Sequence, residues 1–197
     1  MFMHSTTDFR FARPVGRIAG ATGIGGGTLI DTPAGWRPAH ALRRGMLVHT
    51  LDGGARPLTE VGQGMSGVAG MMLVPGGALS NCDDLWLMPG QQLVLAGQVV
   101  SAVLGVPQVL VAAEALDGLL GCRLVRDAVA DVFTLRFSRD EVVFANSGAL
   151  VMCPAGNGGV AGRTHDGFET LAGARARALT ELIAAGALCS DGERRAA

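Results

Sequence analysis

The feature that most constrains this chain is a succession of short apolar runs, each closed by Gly or Pro. Between residues 68 and 111 these runs fall at 71–74, 85–88, 93–95, 99–104 and 109–111. They are too short for helices buried along one stripe, and their regular spacing between turn signals predicts an all-β domain. Further strands are expected at 132–137, 142–144 and 149–152. Upstream, residues 46–51 form a β-rich run. Asp52-Gly53-Gly54 is a strong hairpin turn because Asp and Gly tolerate positive φ, and residues 58–61 are expected to return. Pro33-Ala34-Gly35 predicts another turn, His40-Ala41-Leu42 a short turn-like segment, and residues 114–118 a helical turn capped by Gly118.

Composition narrows the class. With 197 residues the chain is long enough for one domain with a real core. A net charge of -1 gives no electrostatic case for nucleic acid or an anionic membrane surface. All 16 basic residues are Arg, which reads as coding bias rather than arginine chemistry. Cys82, Cys122, Cys153 and Cys189 are widely spaced without a C-x-x-C pair, so reduced, mostly buried thiols are expected and a zinc site is not. The histidines (His4, His40, His49, His165) show no ligand spacing. The uncharged run 85–113 is broken by Pro and Gly and reads as buried strands rather than a membrane span. Asp8, Arg10, Arg13 and Arg17 leave no apolar core for a signal peptide, which points to the cytoplasm, with secretion by another route left open.

The texture changes late in the chain. Residues 154–167 are Gly-rich and read as a linker. Residues 168–186 carry apolar side chains at helical spacing (Phe168, Leu171, Leu179, Leu182, Ile183), with Gly186 as a C-cap. This predicts a C-terminal helix whose apolar face meets the domain or a partner protein. Residues 187–197 are expected to be a disordered tail, and residues 1–22 irregular.

Two N-terminal segments carry a family pattern. Gly27-Thr28-Leu29-Ile30 is followed by the turn at 33–35, and then Leu42-Arg43-Arg44-Gly45-Met46-Leu47-Val48-His49-Thr50 continues the motif. The stretch resembles the opening of the Hint domain, the module shared by hedgehog proteins and inteins. Asp84-Leu85-Trp86-Leu87-Met88-Pro89-Gly90-Gln91-Gln92-Leu93-Val94-Leu95 resembles its middle motif. Residues 131–153, with Asp131 at their start and Glu141-Val142-Val143-Phe144-Ala145-Asn146 within, resemble its closing strands. The resemblance covers residues 23–153 and implies an all-β, horseshoe-like fold with the C-terminal helix as an appendage. Gly27, Thr28, Gly45, Asp131 and Asn146 are then scaffold positions.

The same resemblance implies self-processing chemistry and lets each position be checked. The family's nucleophilic Cys falls on Gly23. The motif's first polar position falls on Met88 and its His on Gln91, an amide that cannot transfer a proton near neutral pH. The closing His-Asn pair falls on Met152 and Cys153, and Asp140 replaces another His. The expectation is a Hint-like domain without catalysis, kept as a structural or protein-interaction module, needing no cofactor or metal. The alternative is an autoprotease with a non-standard nucleophile, such as Thr22. Asn146-Ser147 superficially resembles an intein junction, but the family match puts it in a β-turn. Cys153 reads as a packed strand-end residue rather than a displaced nucleophile. A third reading is a small-ligand cleft lined by Gln91, Gln92 and Asp131. Gly23–Gly27 lacks the Lys-Ser/Thr that a phosphate loop needs.

Overall fold

The computed structural model describes residues 21–155 and 168–195. His4, His165 and most of the segments expected to be irregular or linker (1–20 and 156–167) lie outside the described residues.

The chain opens with β1 (Ile24–Gly25), β2 (Leu29–Ile30) and β3 (Arg37–Pro38), then β4 (Leu47–Thr50), β5 (Gly54–Pro57) and β6 (Glu60–Met65). The middle supplies β7 (Met71–Val74), β8 (Leu85–Leu87), β9 (Gln92–Ala96), α1 (Gln98–Leu104), β10 (Gln108–Ala112) and β11 (Arg123–Val125). The last part supplies β12 (Asp131–Arg136), β13 (Glu141–Ala145), β14 (Ala149–Cys153), β15 (Glu169–Leu171) and α2 (Gly173–Arg195). One sheet has the order β11-β7-β8-β1-β12-β6; the other runs β15-β10-β9-β14-β13-β2-β3, with β4 beside β13 and β5 beside β4.

Side-chain alternation explains the two layers. On β12, Phe133 and Leu135 point into the main core, while Val132 faces outward among Met71 and Met88. On β13, Val143 and Ala145 point inward and Val142 outward; on β9, Leu93 and Leu95 point inward and Val94 outward. The inward rows of both sheets, with Ile24, Ile30, Met72, Leu87, Val109 and Val151, form one continuous core. Each such side chain contributes about 1.5–3 kcal/mol of burial energy. The all-β expectation therefore holds, and no helix among the described residues is long and apolar enough to cross a membrane.

Several expectations need correction. Residues 99–104 form helix α1, not a strand. Gly105 ends it in the left-handed region (φ 72°), its N–H donating to Ser101 O at 3.0 Å, and such a glycine terminates a helix. The strand returning from the Asp52 turn is β5, paired Thr50↔Gly54, whereas Leu58 turns into the core and β6 pairs with β12. Residues 168–171 are not helical: β15 lies parallel to β10, and α2 starts at Gly173. Gly186 is no cap, since the helix runs on to Arg195, through much of the tail expected to be disordered. A Cβ there would stand 3.5 Å from Val99 Cγ2, so α2 passes close to α1 at that point.

The apolar residues expected on the C-terminal helix face are mostly enclosed by the domain itself. Leu171 and Leu179 are buried in the main core and Phe168 caps the outer cluster of the nine-stranded sheet; Ile183 is half-buried. Leu182 alone stays open, at 48% exposure. Thr180 Oγ1 donates to Ala115 O at 2.9 Å, and the Arg177 guanidinium donates to Asp117 O, so α2 is docked on its own domain.

Candidate functional site

The turn between β8 and β9 holds the site together. Gln91 N–H donates to Met88 O at 2.9 Å, closing the Met88-Pro89-Gly90-Gln91 turn, and Met88 N–H donates to Gly23 O at 2.9 Å. Gly90 N–H donates to Ala21 O at 3.2 Å. Residues 21–23 thus run alongside this turn before entering β1.

Gln91 is buried and bridges three strands' worth of backbone. Its Oε1 accepts from Gly23 N–H at 2.8 Å, and its Nε2 donates to Met152 O at 2.7 Å and to Gln92 O at 3.2 Å. The two carbonyls fix which end of the amide is nitrogen, so the oxygen must face Gly23. The amide nitrogen of the 22–23 peptide bond therefore meets an acceptor. An acid/base group at position 91 would have to present a proton there instead. Both Nε2 protons are already engaged.

The other sequence-selected positions separate into backbone and side-chain roles. Gly23 has φ 147°, in the region glycine favours. The Met88 side chain turns outward into the cluster with Met71 and Val132. Met152 offers only its carbonyl, its side chain lying in the outer cluster of the other sheet. Cys153 is buried, and burial, followed by the nearby Glu141 charge, pushes its thiol up to about 12. A thiol so shifted is not a nucleophile at neutral pH. Gly23, Gln91 and the Met152 carbonyl thus meet, while the Met88 and Cys153 side chains are directed to packing.

The scaffold residues work through backbone geometry. Thr28 is buried; its N–H donates to Gly25 O at 3.0 Å and its carbonyl accepts from Ala39 N–H at 2.8 Å. Gly27 sits exposed in the turn before it. Gly45 has φ 86° and donates its N–H to Leu58 O at 2.8 Å. The Asp131 carbonyl accepts from Gly26 N–H at 3.1 Å. Asn146 and Ser147, at φ 43° and 72°, form the β13–β14 turn, as expected. The Asn146 side chain accepts from Leu29 N–H at 2.8 Å and donates to Asp84 O at 2.9 Å and Asp83 O at 3.3 Å. These bonds tie the Asn146 amide to three backbone groups far away in the sequence.

A cavity of about 20 Å³ lies beside Gln91, lined by Thr22, Thr134, Arg136 and Cys153 among others. It has room for about one water. Gln92 and Asp131 do not line it, so the three residues of the ligand-cleft reading do not converge. Sequence reasoning missed a larger cleft, about 240 Å³, bounded by Asp52, Arg139, Asp140, Glu141, Val142, Met152 and Phe168. Glu141 is buried there, 2.7 Å from Arg139 Nε and 3.8 Å from Arg56 Nε. The Arg-Asp-Glu run at 139–141 was the available signal, but Gln91 and Gly23 do not line that cleft. His49 Nδ1 lies 2.9 Å from Asp31 Oδ2, and His49 is not among the hydrogen-bond partners of Gln91. Among the described residues no group of three or more His, Cys, Asp or Glu is placed to hold a metal ion.

Comparison with known proteins gives one family. The sequence profile of the Hint domain matches residues 24–151. No curated protein matches. Among solved structures, the bacterial intein-like domain from Clostridium thermocellum is 14% identical over 66% of this chain and 96% of that one, at a TM-score of 0.47. The MchDnaB-1 intein is 16% identical over 67% of this chain and 99% of its own, at 0.45. A splice-inactive variant of the AceL NrdHF class 3 split intein is 12% identical over 68% and 97%, at 0.43.

Proposed function

The chain belongs to the Hint domain family, and from that premise we propose that this member has lost self-processing and serves as a structural or protein-interaction module. The observation that carries the reading is the state of the 22–23 peptide bond. Its nitrogen donates to Gln91 Oε1, and the residue that follows the bond is a glycine. The family's first step needs a side-chain nucleophile on residue 23 to attack the carbonyl of residue 22 while the leaving nitrogen gains a proton. Gly23 supplies no nucleophile and Gln91 supplies an acceptor. Cys153, in the closing pair, is a buried neutral thiol.

The intact mass of the full chain tests this, followed over a day with and without a thiol and hydroxylamine. The expected result is a constant mass. Cleavage between residues 22 and 23, or after Asn146, would overturn the reading.

One observation favours the alternative of processing from Thr22: that residue is exposed and lines the cavity beside Gln91. An unassisted hydroxyl is a poor nucleophile, and the cavity lining contains no His, Asp or Glu to act as base. A fragment beginning at Thr22 would identify this route in the same experiment.

A further inference from the structure

The glycines before Thr28 are not equivalent. A Cβ built on Gly23 would stand 2.3 Å from Val132 Cγ1 and 3.2 Å from Phe133 O. On Gly25 it would stand 2.9 Å from Trp86 Cβ, and on Gly26, 2.9 Å from Phe133 Cε2. On Gly27 it would meet nothing within 4 Å. Neighbouring side chains therefore fill the space at 23, 25 and 26, and the backbone at 23 adds φ 147°. Val132 is buried in a cluster with Met71 and Met88, so it has little freedom to retreat.

We infer that Val132 and the Gly23 backbone close position 23 to any side chain, so that restoring the missing nucleophile and His does not re-arm the site. The inference rests on the reading of Gly23 and Gln91 as the former processing positions. It goes further in assigning the block to packing across β1 and β12, with Val132 as the positioning residue. Gln91 completes the seam by tying Gly23 N–H to the Met152 carbonyl of β14. A strand that once presented a side chain to the reaction has become a buried joint between the two sheets.

A double-mutant cycle tests the packing. Gly23→Ala is expected to lower Tm by about 5–10 °C, from backbone strain plus overpacking in a chain of this size. Gly27→Ala, the control, is expected to stay within about 2 °C. With Val132→Ala, the further loss on adding Gly23→Ala should shrink by about 3 °C or more, because only the backbone strain remains. Additive losses overturn the inference, as does a Gly23→Ala protein that cannot fold and is not rescued by Val132→Ala. The second arm follows the mass of Gly23→Cys/Gln91→His with Val132 in place, incubated with a thiol and with hydroxylamine so that any thioester formed at residue 23 is cleaved. An intact chain is expected. Cleavage at 22–23 in that variant, with the wild type intact, overturns this inference alone; cleavage of the wild type overturns the functional reading.

Discussion

Gln91 and Asn146 are both buried amides, and both join segments far apart in the chain, yet they stand in different relations to the fold. Asn146 holds Leu29 N–H and the carbonyls of Asp83 and Asp84 from within a turn at φ 43°. Its identity is set twice, by its bonds and by a backbone conformation that Asn tolerates better than most residues. Gln91 holds Gly23 N–H and the carbonyls of Met152 and Gln92 from an ordinary turn. Only its bonds set its identity. In this chain the amide at 146 is therefore tied to the fold by both its bonds and its backbone conformation, whereas the amide at 91 is tied by its bonds alone.

The comparison is broken most directly at Asn146. Asn146→Ala removes three hydrogen bonds to part-buried backbone groups and leaves the left-handed position without the polar side chain that supports it, with an expected cost of about 2–4 kcal/mol. Urea unfolding reads this directly. Asn146→Gly should recover about 1 kcal/mol of it, the part due to φ alone. A loss below about 1 kcal/mol for Asn146→Ala would mean the turn is held by its other contacts, such as Gly148 against Ser80 O.

Gln91→Met keeps the shape and removes the bonds, at an expected cost of about 2–3 kcal/mol from the unpaired Gly23 N–H and Met152 carbonyl. Gln91→His should fall between Met and wild type, because a neutral imidazole serves either the donor or the acceptor but not both. Equal stability of His and wild type would show that the two ends of the bridge are not both needed. That result would weaken the picture of Gln91 as a joint between sheets.

Much of this comparison was legible in the sequence, and the reason is local. Asp52-Gly53-Gly54 announces its hairpin through residues that accept positive φ, and the family pattern places Asn146-Ser147 in a turn and assigns Gly23 and Gln91 to the same processing site. What stayed hidden depends on contacts across elements. Residues 99–104 are apolar but for Ser101, and so short a run does not separate a strand from a helix by periodicity; Gly105 was the unused signal. Phe168 and Leu171 happen to match helical spacing, but the pairing of Glu169–Leu171 with β10 is decided by the sheet edge beside them. Nothing near Gly23 in sequence reports that Val132, over a hundred residues away, fills the space of its missing side chain.

The smallest expected effect concerns Cys153, the position beside the bridge where a family Asn would stand. Its thiol is pushed from 9.0 up to about 12, and that of Cys122 up to about 11, in both cases mainly by burial. A raised thiol pKa means that the folded state favours the neutral form. The associated stability is complete below pH 9 and is lost as pH rises from 9 toward 12 for Cys153 and toward 11 for Cys122. At pH 10 each group should have cost the folded state about 1.4 kcal/mol. The chain contains no Lys and no Tyr, so between pH 9 and 11 thiols are the side chains that titrate. Cys153→Ala loses packing at every pH but should flatten the alkaline decline by about half, with Cys122 supplying the rest. Peptide mapping after alkylation at pH 8 should find Cys82, which is exposed, modified and Cys122 and Cys153 protected until the chain unfolds. Rapid native-state modification of Cys153 would contradict its burial beside Gln91 and reopen it as a reactive group in the closing strand.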